Sequence, residues 1–122
     1  MSDHTRPIDQ PSGRSDGDVA QDAVDDLVFK ALGNPARRRV LDLLRGSSMT
    51  TGELCDRIEG LERTTVLQHL RVLERAGLVT GRRVGRERHL ALAPMPIKRI
   101  YDRWINDYAQ AAVQLLDELG AE

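Results

Sequence analysis

Aromatic side chains are nearly missing from this chain: one Phe, one Trp and two Tyr among 122 residues. A core built without them must be packed from Leu, Val, Ile and Ala. Cysteine is rarer still. The single Cys55 excludes an internal disulfide and fits a reducing, cytoplasmic setting. No apolar run approaches the roughly 20 residues needed to cross a bilayer, so no membrane partner is expected. The N-terminus is polar and acidic, unlike a secretory signal. Signatures of catalysis are lacking too: a Ser/His/Asp order in motif context, a phosphate-binding Gly loop, paired carboxylates in apolar surroundings. The chain is therefore not expected to be an enzyme, and no cofactor is expected.

What is present is charge, unevenly spread. The net charge is −1. Residues 1–33 carry seven Asp against three bases, a net −4, and residues 95–122 a net −2. Between them, residues 34–94 hold twelve Arg against seven acidic residues, a net +5. An arginine-rich middle between acidic ends marks a polyanion-binding surface or, as plainly, solvated helix faces. The length suits one domain with one core.

Residues 1–17 hold Pro, Gly, Ser and Asp with little to bury, and read as a disordered tail. The domain then spans 18–94. Ala20, Val24, Leu27, Val28, Ala31 and Leu32 recur at helical spacing, and Gly33 closes this first helix over 18–32. Asn34-Pro35 is a cap followed by proline at the first helical position. The second helix runs to about Arg45 and buries Val40, Leu41 and Leu44. Thr50 and Glu53 have capping-box spacing and open a short third helix that buries Leu54 and Ile58. The fourth helix covers 63–76, with Gly77 as its left-handed stop. Leu78-Val79-Thr80 and His89-Leu90-Ala91-Leu92 read as two strands around a tip at Val84-Gly85-Arg86. After Pro94 and Pro96 a long helix runs from Ile97 to about Leu119. Its apolar positions, Ile97, Tyr101, Trp104, Tyr108, Ala111 and Leu115, step by four and three, the seam a helix needs to pair lengthwise with another.

The order α-α-α-α-β-β-α, mainly α with a two-stranded β-wing, is that of a winged helix-turn-helix. A helix fits the major groove of B-form DNA. In the fourth helix Val66, Leu70 and Leu73 form the inner stripe. Arg63, Thr64, Thr65, Leu67, Gln68 and Arg71 are left for the groove. Arg pairs bidentately with guanine, Gln with adenine, and Thr or Leu touches a thymine methyl. Arg82, Arg83, Arg86 and Arg88 cluster on the hairpin, placed to meet phosphate or the minor groove. Arg37, Arg38 and Arg39 offer one or two further phosphate contacts. His69 and His89 read as packed, half-buried residues.

The runs "FKALGNPARRRVLDLL", "TTGELCDRI", "TVLQHLRVLERAGLV" and "RRVGRERHLAL" resemble the ArsR/SmtB-type winged-helix transcriptional repressors of bacteria. The resemblance covers residues 26–93. It implies a cytoplasmic homodimeric repressor whose two fourth helices enter successive major grooves of a palindromic operator. It also implies a dimer face made by the first and last helices, from Val24 and Leu27 to the seam from Ile97 to Leu115, with residues 95–122 as the dimerisation helix. Tyr101, Trp104 and Tyr108 read as anchors of the dimer core before a cofactor box; a small-molecule pocket between the two long helices is a further use for them. Metal-sensing relatives carry Glu-Leu-Cys-x-Cys in the third helix. Here the second thiol position is Arg57, and residues 97–122 contain no His. A subgroup without those metal sites, and no bound metal, is therefore expected. Leu67 and Glu62 stand where relatives often have Ser. Whether a small molecule or oxidation of Cys55 acts as effector stays open. So does a second function class, a winged helix that binds protein and does not read DNA; it would need an apolar outer face on the fourth helix.

Overall fold

Local chemistry sets the helix boundaries of the computed structural model, which describes residues 15–120. The first helix, α1 (Asp16–Leu32), begins two residues earlier than its apolar pattern suggests. Ser15 accepts from the Asp18 N–H, and the Asp18 carboxylate accepts from the Ser15 N–H, a reciprocal capping box. The expected tail thus loses residues 15–17 to the helix start, while 1–14 lie outside the described residues. Asn34 Oδ1 accepts from the N–H groups of Ala36 and Arg37 and opens α2 (Pro35–Gly46) with proline inside its first turn. Thr50 and Glu53 form the anticipated capping box at the start of α3 (Thr51–Arg57). These two Thr50 contacts hold the Glu53 carboxyl below its ordinary pKa.

The fourth helix, α4 (Arg63–Arg75), ends in a Schellman motif. Gly77 takes φ +78°, its N–H bonds the Glu74 carbonyl, and the Leu78 N–H bonds the Leu73 carbonyl. Leu73 and Leu78, both fully buried, supply the apolar contact across that motif. The chain then enters β2 (Val79–Val84) and β3 (Glu87–Leu92). These strands are longer than expected and turn through Gly85 (φ +64°) and Arg86, with Val84 opposite Glu87. Gly at the first of two loop positions suits a type II′ turn.

The two-stranded wing is joined at its root by a third strand that the sequence did not reveal. Met49 and Thr50 form β1, antiparallel to β3 with Met49 opposite Leu90 and Thr50 opposite His89, so the sheet order is β1-β3-β2. Beyond the wing, the long helix starts at Met95 rather than Ile97. It comprises α5 (Met95–Ile100), a π-helical turn (Tyr101–Ile105) and α6 (Asn106–Leu119).

The core is aliphatic, as the shortage of aromatics requires. Val28 and Ala31 of α1, Val40, Leu41 and Leu44 of α2, and Leu54 of α3 meet Val66, Leu70 and Leu73 of α4. Leu78, Val79 and Leu90 close it from the wing and Ile100 from α5. No residue of α6 is buried. Of the rest of α1's stripe, Ala20, Val24 and Leu27 are exposed, as is Val19 beside them, and Leu32 is half-buried against the core.

Candidate nucleic-acid interface

The apolar stripe of α4 fixes which of its residues stay outside. Val66, Leu70 and Leu73 are buried, and the 100° step per residue then turns Thr64, Gln68 and Arg71 outward, while Arg63, on the side of the stripe, is exposed because it is the first residue of the helix. Thr65 is half-buried on the flank. Leu67 is not on the open face: it is half-buried and packs against the core, because it directly follows Val66 at the edge of the stripe. At the start of α4, Glu62 occupies the N-cap position without a side-chain bond. The first N–H groups of α4 are therefore not closed off by a side-chain cap.

The wing brings arginines to that same end. Arg63 lines a cleft of about 310 Å³ with Arg83, Arg86, Arg88 and Glu87 of the wing and Thr50, Thr51 and Gly52 at the start of α3. Four guanidinium groups against the carboxylate of Glu87, and that of Glu74 paired with Arg88, leave it cationic. The contribution of α3's first residues was not foreseen. Its signal in the sequence is the small, polar Thr50-Thr51-Gly52 run.

Arg82 does not join this cluster. Side chains alternate along a strand, so Arg82 shares the opposite face of the wing with its partner His89 and with Thr80. There it lines a separate hollow with Ser48 and Ala91. His89, half-buried as expected, lies 3.7 Å from Glu87. Arg88 is placed near the cleft but is not free: it is paired with Glu74 of α4 and lies across Gly81, where no side chain obstructs it. Arg88 and Arg83 stand directly opposite each other across the strands, and the Glu74 carboxylate offsets that like-charge pair.

The three arginines of α2 divide likewise. Arg37 donates to the carbonyls of Ala31 and Lys30, and Arg38 to that of Leu32. Both are engaged in closing the C-terminal end of α1. Arg39 is exposed. His69 is half-buried, with Nδ1 3.3 Å from Nη1 of Arg37. Burial first, and the Arg37 charge second, hold its pKa below the ordinary imidazole value. Cys55 is half-buried against the core.

The residues expected at a dimer face are mostly exposed: Val24, Leu27, Tyr101, Trp104, Tyr108, Ala111 and Leu115. Ile97 differs. It is half-buried against the chain's own core beside the buried Ile100, since α5 returns to pack on α1. Sequence reasoning missed Phe29, Ile105, Leu116 and Leu119, which extend the same exposed apolar surface. Phe29 meets Trp104 edge-on at 5.9 Å, and Trp104 meets Tyr108 at 4.9 Å. Arg103, within the π-helical turn, reaches Asp22 at 3.1 Å and Asp25 at 3.2 Å, and ties this segment to α1.

Comparison with known proteins places this geometry. Residues 32–82 match a family described as a helix-turn-helix domain. YuzN of Bacillus subtilis, an uncharacterized HTH-type transcriptional regulator, is 40% identical over 86 residues, which are 66% of this chain and 94% of YuzN. The transcriptional repressor SdpR of the same organism is 36% identical over 58 residues, 48% of this chain and 63% of SdpR. The solution structure of the homodimeric winged helix-turn-helix DNA-binding domain of Mb0332 from Mycobacterium bovis, a possible ArsR-family transcriptional regulator, is also similar. It superposes with a TM-score of 0.63 at 27% identity, covering 92% of this chain and 96% of that one.

Proposed function

This chain belongs to the ArsR-type winged helix-turn-helix transcriptional regulators, and from that membership we propose how it recognises DNA. It is a DNA-binding transcriptional regulator. It works as a homodimeric repressor in the cytoplasm, at the nucleoid, and its two α4 helices enter successive major grooves of a palindromic operator. Thr64, Thr65, Gln68 and Arg71 read base edges. Arg63, Arg83 and Arg86 hold the phosphate backbone, with Arg82 reaching it from the other face of the wing. Arg88 is a weaker contributor because Glu74 already neutralises it. Leu67 supports the helix flank and is not a direct thymine contact.

The observation that carries this reading is the cationic cleft between the start of α4 and the wing, adjoining an exposed and wholly polar helix face. Phosphate contacts fix register, and the polar face then has base edges within reach. The same polarity weighs against a protein-docking winged helix, whose α4 would present apolar groups. The dimer is supported by the exposed apolar residues of α1 and the C-terminal helix, which in a single chain face water.

Pulling genomic fragments down with the full chain and sequencing them tests the proposal. The expected product is a palindromic site with half-sites one helical turn apart, bound far more tightly than random duplex at moderate salt. Equal affinity for the recovered fragment and random DNA would overturn sequence-specific reading.

A further inference from the structure

Arg37 lies in the first turn of α2, yet its side chain is spent inside the molecule. Nε donates to the Ala31 carbonyl at 2.8 Å and Nη2 to the Lys30 carbonyl at 3.0 Å, closing the end of α1. The remaining nitrogen, Nη1, lies 3.3 Å from Nδ1 of His69 on α4. One planar fork therefore touches both the helix proposed to set the dimer and the helix proposed to read DNA. Guanidinium geometry is rigid enough to make such a three-point joint, which a lysine cannot.

The joint dictates the state of the histidine. An arginine N–H only donates, so Nδ1 must keep its lone pair and the ring is neutral with its proton on Nε2. Once protonated, both ring nitrogens are donors, and the imidazolium confronts a guanidinium. Among the described residues, no carboxylate is found to act on the ring. From α2 the ring meets the Arg37 charge. α1 offers the Ala31 and Lys30 carbonyls, which are uncharged, to the guanidinium. On α4 the residues one turn away, Thr65, Val66, Val72 and Leu73, are uncharged.

We propose that Arg37 and His69 are positioning residues that fix the reading helix against the dimer helix, and that acid releases this joint and weakens operator recognition. The inference rests on the DNA-reading function proposed above. In a dimer on a palindrome the two reading helices must be one helical turn apart. The link from α1 to α4 sets that spacing, so a loosened joint degrades specific binding first. The folded-state pKa of His69 lies below its unfolded value near 6.5. The joint is therefore complete above about pH 6.5, and is lost as pH falls through the lowered folded-state value.

Acid also adds positive charge everywhere, which raises affinity for any DNA, so the informative quantity is the ratio of operator to random-duplex affinity. Fluorescence anisotropy of the full chain with both duplexes, from roughly pH 8 to 5, reads it. The wild-type ratio should fall by roughly three- to tenfold on acidification, the factor one ordinary hydrogen bond sets. His69→Asn keeps an acceptor near Nδ1 but cannot gain a proton, and its ratio should stay flat. His69→Leu loses the acceptor, and its ratio should be lowered at every pH. The same acid slope in wild type and His69→Asn, or no slope in wild type, overturns the proposal. A second readout does not involve DNA: NMR titration of the His69 ring should move its midpoint up toward the ordinary value in Arg37→Met, and an unmoved midpoint refutes the joint. Absence of operator preference even at pH 8 strikes the DNA-reading function instead, and leaves the NMR result to judge the joint.

Discussion

At the scale of single residues, the arginines of this chain differ by what already holds them. Arg63, Arg83 and Arg86 face one cleft, Arg37 and Arg38 cap α1, and Arg88 is tied to Glu74. An arginine bound to a carboxylate releases fewer counterions when DNA arrives, since its charge is already balanced. Replacing Glu74 by Gln should therefore free Arg88. Affinity for random duplex should rise, and the slope of log affinity against log salt should steepen by about one. An unchanged slope would show that Arg88 contributes fully in the native protein or not at all. The pair is partly exposed, so its loss should cost no more than about 1 kcal/mol of stability, readable by urea unfolding.

At the scale of elements, boundaries with a local cause were legible in the sequence. Asn34-Pro35, the Thr50–Glu53 box and Gly77 act within four residues of themselves. Gly77 carries the sharpest prediction of this kind. A side chain there has room, its nearest neighbour being Pro96 Cγ at 3.7 Å, but φ +78° is strained for any L residue. Gly77→Ala should thus cost about 1–2 kcal/mol, lowering Tm by several degrees in a domain of this size. An unchanged Tm would contradict a left-handed requirement. What stayed illegible depends on partners distant in sequence. Two residues, Met49 and Thr50, show no alternation, and they are a strand only because β3 lies beside them. The π-helical turn leaves no periodic trace either. In the site, the outward face of α4 followed from periodicity. The opposed faces of Arg82 and Arg83 also followed from strand parity, although clustering by sequence merged them. The Arg88–Glu74 pair and the fork of Arg37 needed the packed wing and helices to be seen.

At the scale of the whole molecule, one chain leaves an apolar surface in water. Phe29, Trp104, Tyr108, Leu115, Leu116 and Leu119 are all exposed, and together they form a surface of the kind that marks an interface. A second copy covers it in this account. Leu116→Asp should therefore turn a dimer into a monomer in sedimentation equilibrium, with the core of α2, α3 and α4 still folded. A dimer that survives that change would move the interface elsewhere. The central claim, that the exposed face of α4 reads bases while the wing holds phosphate, has its most direct test in three substitutions measured on the recovered operator and on random duplex. Gln68→Ala or Arg71→Ala should lose about 1–3 kcal/mol on the operator and little on random duplex. Arg86→Ala should weaken both and reduce the salt slope by about one. If instead Gln68→Ala and Arg71→Ala weaken operator and random DNA equally, α4 does not read the sequence and the account fails.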